Sequence, residues 1–267
     1  MTVLWQTVER VRSGVFHIVC FNQHGERIGS GTGFASRGRL ITNNHVFAVP
    51  SGTTQIWIRQ DGYEDKETQG VLLEAREFYN TLVAASPPDL HDYAVLDVPA
   101  LNLDGKYQFD LIDHKHYHIG QTVAFLGFPL EHQNLTCHTG IVSSFYKTNG
   151  VCIIQIDASV NPSNSGGPLF DPCSGEVIGI ITRNATGLIP KLFSELRTGM
   201  EEIIESTRQI HEFMEIGGYS VKRALLTSQE SILRTLGQIE RSANVGIGYA
   251  FSTRHLLEDA QFTHPLV

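Results

Sequence analysis

Short runs dense in Val, Ile, Leu and Phe, punctuated by glycine-containing turns, fill most of residues 1–186 and predict strands rather than helices. Strands are expected at Val15 to Phe21, Gly29 to Ala35 and Leu40 to Thr42, with a turn at Arg37 to Arg39 joining the last two. Others are expected at Thr54 to Arg59, Gln69 to Ala75, Tyr93 to Val98, Ile119 to Gly127, Glu176 to Thr182 and Val245 to Phe251. Between Gly187 and Ala243 the period changes. Leu196, Met200, Ile203, Ile210 and Met214 recur at helical spacing from about Pro190 to Ile216, opposite Glu201, Glu202 and Glu205, and Gly217 with Gly218 breaks the run. Leu225, Ile232, Leu236 and Ile239 mark a second amphipathic helix from about Val221 to Arg241. Ser252 or Thr253 is placed to cap a short terminal helix, Arg254 to Ala260.

Composition narrows the picture. A chain of 267 residues with 41% hydrophobic content can bury two modest β cores and still carry a helical addition. A net charge of −8 with no basic stripe argues against a nucleic-acid partner, since phosphate binding needs clustered Lys and Arg, and no membrane partner is expected either. Cys20, Cys137, Cys152 and Cys173 are scattered singly, without C-x-x-C spacing, and Met1 to Arg12 holds no apolar run of signal length. The thiols therefore read as reduced, in a cytoplasmic protein.

Three segments carry chemistry. Asp157 to Phe170 reads D-A-S-V-N-P-S-N-S-G-G-P-L-F, a tight loop presenting the Ser165 hydroxyl beside exposed backbone N–H groups. A neutral serine is a poor nucleophile and needs a base, and the oxyanion it generates needs preorganised donors. Upstream, T-N-N-H-V-F places His45 immediately after a strand, where a base is rigidly held. Between them, H-D-Y-A-V-L-D-V places Asp92 just before an apolar run, suited to fixing an imidazole tautomer; Asp97 is the rival.

The order His, Asp, Ser, together with T-N-x-H-V, D-x-A-V-L and all but one position of D-A-x-x-N-x-G-N-S-G-G-P-L, resembles the trypsin-like serine peptidases, most of all their HtrA/Deg branch. The resemblance runs from about Val8 to Phe170, continues through Glu176 to Thr182 and resumes at Asn244. It implies a mainly β fold of two six-stranded antiparallel barrels, chymotrypsin-like, with a helical hairpin insertion, a short C-terminal helix and no PDZ domain. The protease domain would span 1–186 and 244–267, and the insertion 187–243 would emerge at the rim of the specificity pocket. The implied activity is a serine endopeptidase working through an acyl-enzyme, with no cofactor and no metal. Its triad would be His45, Asp92 and Ser165, with oxyanion donors among Ser163, Asn164 and Ser165 and a pocket formed by Ser159, Val160 and Thr182. No fixed charge stands at that pocket, so a small or medium uncharged side chain is expected on the acyl side of the cut. Partners would be a protein or peptide substrate and an activating protease or regulatory protein at the insertion. A catalytically silent peptide-binding module and a regulated zymogen remain open beside the active enzyme.

Two departures stand out. Where the resembled pattern has glycine two residues before the nucleophile, this chain has Ser163, and a Cβ at positive φ costs roughly 1–2 kcal/mol. The resting loop is expected to avoid that cost with the peptide flipped, giving low basal activity. The second is D-H-K-H-Y-H over Asp113 to His118, where His114, His116 and His118 on one face of an extended strand could chelate zinc; a solvated edge strand is the preferred reading.

Overall fold

The computed structural model describes residues 3–61, 70–184, 189–211, 215–216, 219–242 and 246–263. The chain divides into two compact units, Met1–Asn184 with Gly246–Val267, and Ala185–Val245.

The first unit opens with a helix that the strand-rich reading did not anticipate, α1 (Leu4–Val11). It is followed by β1 (Val15–Asn22), β2 (Arg27–Ser36), β3 (Arg39–Thr42), the one-turn α2 (Asn44–Phe47), β4 (Thr53–Arg59), β5 (Gly70–Glu74), α3 (Ala75–Tyr79), β6 (Leu82–Ser86) and β7 (Tyr93–Leu96). These strands form a seven-stranded antiparallel sheet in the order β5-β4-β1-β2-β3-β7-β6. The sheet is a half-barrel rather than a closed ring of six, with β6 the extra strand. Next come β8 (Thr122–Gly127), β9 (Thr136–Thr148), β10 (Val151–Asp157), β11 (Pro168–Phe170) and β12 (Val177–Asn184).

The second unit holds α4 (Ile189–Gln209), a two-strand bridge of β13 (Glu215–Ile216) with β14 (Tyr219–Ser220), and α5 (Val221–Ser242). The chain then re-enters the first unit as β15 (Ile247–Ser252), α6 (Arg254–Glu258) and α7 (Ala260–Thr263). Strands β10-β15-β12-β11-β8-β9 close into a six-stranded barrel. The fold is thus mainly β and of the double-barrel, chymotrypsin-like kind.

Strand alternation explains how the two sheets meet. In β3, Leu40 enters the core of the first sheet with Phe16, Ile18, Ile56 and Ile58. Its neighbour Ile41 points the other way, into a cluster shared with Leu126, Phe128, Phe170 and Ile180 of the barrel. In β7, Leu96 and Val95 divide in the same manner. The barrel keeps its own core of Val123, Phe125, Ile154, Ile156, Leu169 and Ile181. Central strands buried on both faces are rigid, and truncating Phe34 in the shared cluster would cost about 3–5 kcal/mol.

In the second unit the face that the sequence marks as apolar is not the one that packs. Ile204 and Thr207 are buried, and Thr207 accepts from Gln229 across the helix pair at 3.1 Å. Leu196, Ile203 and Ile210 on α4 and Leu225, Ile232 and Ile239 on α5 are each about half exposed. Gly199 lies inside α4, and Gly187, Met214, Gly217 and Gly218 lie outside the described residues.

Candidate active site

The candidate base, acid and nucleophile sit on elements from both sheets. Thr42 ends β3, and Asn44–Phe47 turns at once into a single helical turn that carries His45. Glycine at position 31 permits this, because a Cβ there would meet the Val46 side chain. Asp92 takes φ 44°, a left-handed conformation that Asp tolerates better than most side chains, and so turns its carboxylate back before β7 begins. The amide of Asn43 donates to the Asp92 carbonyl at 2.7 Å and fixes that turn.

Asp92 is 1% exposed and its carboxylate is fully engaged. Oδ1 accepts the His45 backbone N–H at 3.0 Å, and Oδ2 accepts His45 Nδ1 at 2.7 Å and the Thr182 hydroxyl at 2.9 Å. A buried carboxylate is tolerated only when paired in this way. Since a carboxylate accepts but does not donate, Nδ1 must carry the imidazole proton. In the neutral ring Nε2 then keeps its lone pair, the form a general base requires. The His45 side chain is 40% exposed, so that nitrogen is open to a substrate. The rival Asp97 is exposed and beyond the end of β7.

Ser165 lies on the loop between β10 and β11. Its hydroxyl donates to the Thr182 carbonyl at 2.6 Å, and among the described residues no hydrogen bond joins it to His45. The loop itself is locked from β2: the Thr32 N–H donates to the Ser165 carbonyl at 2.8 Å and the Thr32 hydroxyl to the Ser163 carbonyl at 2.7 Å. Gly166, at φ 88°, fits only because it lacks a Cβ, which would run into the Thr32 carbonyl and the Thr42 hydroxyl.

Ser163 takes φ 74°, so the strained conformation expected to be avoided is instead adopted. The Asn164 N–H donates to the Asn161 carbonyl at 3.1 Å and is used within the loop, which removes Asn164 from the candidate oxyanion donors. Among the described residues, neither the Ser163 nor the Ser165 N–H is held by a backbone carbonyl.

The three pocket candidates stand in different surroundings. Ser159 is exposed, while Val160 belongs to the barrel core and packs against Gly248, where any Cβ would collide with it. Thr182 lines a cavity of about 290 Å³ with Asp89, Leu90, Tyr146, Ile153, Tyr249 and Phe251. His114 to His116 form a 3₁₀ turn rather than a strand, which breaks the common face of the three histidines; His114 Nδ1 is 2.6 Å from Ser252 Oγ. Among the described residues no three potential ligands gather around a metal position.

Several residues in this framework carry no motif. Thr182 was legible as a neighbour of the site but not as the partner of Asp92. Ser30 and Thr32 alternate with Gly29, Gly31 and Gly33, and two hydroxyls at i and i+2 of a strand do share a face. That alternation was the available signal.

Residues 29–180 match the trypsin-like peptidase domain family. The chain belongs to that family. It is 35% identical over 167 residues to a protein of Hahella chejuensis named as a probable periplasmic serine endoprotease DegP-like, covering 59% of this chain and 30% of that one. It is 34% identical over 151 residues to the serine protease Do-like HtrA of Lactobacillus helveticus, covering 54% and 32%. The chain thus spans about a third of the length of these relatives. Among solved structures, an HtrA-type protease AlgW with tripeptide superposes with a TM-score of 0.59 at 22% identity, covering 96% of this chain and 62% of that one. Deg5 gives 0.52 at 23% identity, covering 67% and 83%. At such identities the structures show a shared fold.

The names of the relatives correct the expected cytoplasmic location, because the matched DegP-like proteins are named as periplasmic. Unpaired thiols were weak ground for it. Cys20 and Cys152 are buried, and a thiol without a partner in reach stays free in any compartment.

Proposed function

We propose that the trypsin-like domain of this chain is a serine endopeptidase in which Ser165 attacks a peptide carbonyl, His45 serves as base and then as acid, and Asp92 holds the imidazole. The observation that carries this reading is the 2.7 Å contact of His45 Nδ1 with a buried, otherwise saturated Asp92, which fixes the tautomer needed for proton abstraction at Nε2. On attack the Ser165 oxygen bonds to the carbonyl carbon, its proton passes to Nε2, and the oxyanion is received by the N–H groups of Ser163 and Ser165. The imidazolium then protonates the departing amine, and water repeats the sequence on the acyl-enzyme. A fluorophosphonate probe should label the wild type and not Ser165→Ala, and cleavage of denatured casein should vanish with the label.

One observation favours a resting state of low activity: the Ser165 hydroxyl is bonded to the Thr182 carbonyl. A silent peptide-binding module would show the same bond and would never label. In the regulated reading, the insertion 187–243 controls the site, as it is inserted between β12, which supplies Thr182, and β15, which lines the same cavity. Half-exposed apolar residues at seven-residue intervals on both its helices suit a protein partner. The substrate is a protein or peptide laid along β12, with a small or medium uncharged residue before the cut.

A further inference from the structure

The loop that carries the nucleophile holds a side chain where the resembled pattern has none, and that side chain is gripped. Ser163 Oγ lies 2.6 Å from Ser30 Oγ on β2. Ser30 Oγ in turn accepts Arg27 Nη2 at 2.7 Å. A guanidinium only donates, so it occupies a lone pair of Ser30 and polarises that hydroxyl toward its other neighbour. Two residues along the same strand, the Thr32 hydroxyl donates to the Ser163 carbonyl. One strand therefore holds Ser163 on both sides of its Cα, at a φ of 74° that a serine does not choose by itself.

Arg27 is anchored as well. Its Nη2 lies 3.2 Å from His17 Nε2, and the fully buried His17 ring stacks on Phe128 at 4.5 Å and 5°. Phe128 also donates its N–H to Thr32 Oγ1 at 3.2 Å, which ties the two grips to one rigid block.

We infer that Arg27 and Ser30 are positioning residues for the oxyanion loop, acting through the hydroxyl of Ser163 to hold its backbone N–H where the developing charge will form. The inference rests on the peptidase reading above and adds a device that the serine at position 163 makes available. Glycine at position 163 would reach the same backbone conformation without help but would offer no handle. Serine at that position makes the conformation depend on a bond from β2.

The test is a mutant cycle on the full chain, read as the second-order rate of fluorophosphonate labelling at Ser165 and as kcat and KM on denatured casein. Ser30→Ala and Arg27→Ala should each slow labelling roughly tenfold to a hundredfold, lowering kcat while KM holds, because an oxyanion donor is displaced rather than substrate binding lost. Arg27→Lys should recover part of the rate. Ser163→Ala should show the same defect, and adding Ser30→Ala to it should cost nothing more. In a Ser163→Gly background, Ser30→Ala should no longer slow labelling. Equal slowing by Ser30→Ala in the wild-type and Ser163→Gly backgrounds, or wild-type labelling by Ser30→Ala alone, would overturn the inference and leave the peptidase reading standing. A wild type that does not label removes both.

Discussion

The Ser165 hydroxyl donates to the carbonyl oxygen of Thr182, and the hydroxyl of that same threonine donates to Asp92. One residue of β12 therefore touches both the candidate nucleophile and the candidate acid. In the proposed mechanism the first of these bonds breaks, so that the serine proton turns to His45 Nε2. The second must persist.

The triad assignment is checked by non-additivity. Ser165→Ala or His45→Ala should each lower turnover by about 10⁴-fold or more, and the double variant should be little worse, because groups acting as one unit fail together. Steady-state cleavage of denatured casein measures it, and near-normal turnover in Ser165→Ala would sink the assignment.

Thr182→Val keeps the shape and the carbonyl but deletes the bond to Asp92. Hydrogen bonds to charged groups contribute about 1.5–3 kcal/mol, so kcat/KM should fall roughly tenfold or more, with Thr182→Ser close to the wild type. Equal rates for the Val and Ser variants would remove the hydroxyl from the mechanism.

Specificity should favour small or medium uncharged side chains before the scissile bond. Cleavage-site profiling on a peptide library reads this directly, and strict cleavage after Arg would show that an acidic group outside Ser159, Val160 and Thr182 governs the pocket.

If the insertion restrains the site, cutting it at a protease site engineered between α4 and α5 should raise the rate of Ser165 labelling while the β-sheet signal is retained. Identical rates before and after cutting would make the insertion a structural element only.

Acid should destabilise the protein well before its carboxylates titrate. Burial, with Arg27 and Arg59 nearby, pushes the His17 imidazole from 6.5 down to about 3. Between these values the unfolded chain binds a proton that the folded one refuses. The stability from a neutral His17 is thus present above pH 6.5 and lost as pH falls toward about 3. From pH 7 to pH 5 this single group should cost about 2 kcal/mol, visible in urea unfolding, and His17→Gln should remove that share of the slope while leaving the share of His255, which burial pushes down to about 4.

The strands and the three motifs were legible because apolar density, glycine turns and the His, Asp, Ser order are local properties of the chain. The network around Ser163 was not, since Arg27, Ser30 and His17 reach it only through tertiary contacts. The surroundings of Val160 were hidden for a related reason. The resemblance names it as a pocket wall, and in the structure its side chain is buried in the barrel core, where Gly248, having no Cβ, lets β15 come close. Helix α1 was missed because its apolar positions are few, yet Leu4, Val8 and Val11 recur at helical spacing and pack on the shared cluster, with Arg10 and Thr7 reaching the carbonyls of Ser174 and Cys173. The positive φ of Ser163 was foreseen as a cost but not as one the surroundings would offset.

The pairing of β12 with β15 has a consequence for how the chain folds. Asn184 sits opposite Gly248, so the barrel closes between residues that are neighbours in the sheet but separated by all of Ala185–Val245 in the chain. Closing a longer loop costs little at equilibrium, about 0.6 kcal/mol per doubling, but it delays the search for that contact. The last seam of the barrel should therefore zip late, and replacing 185–245 by a short turn should speed refolding.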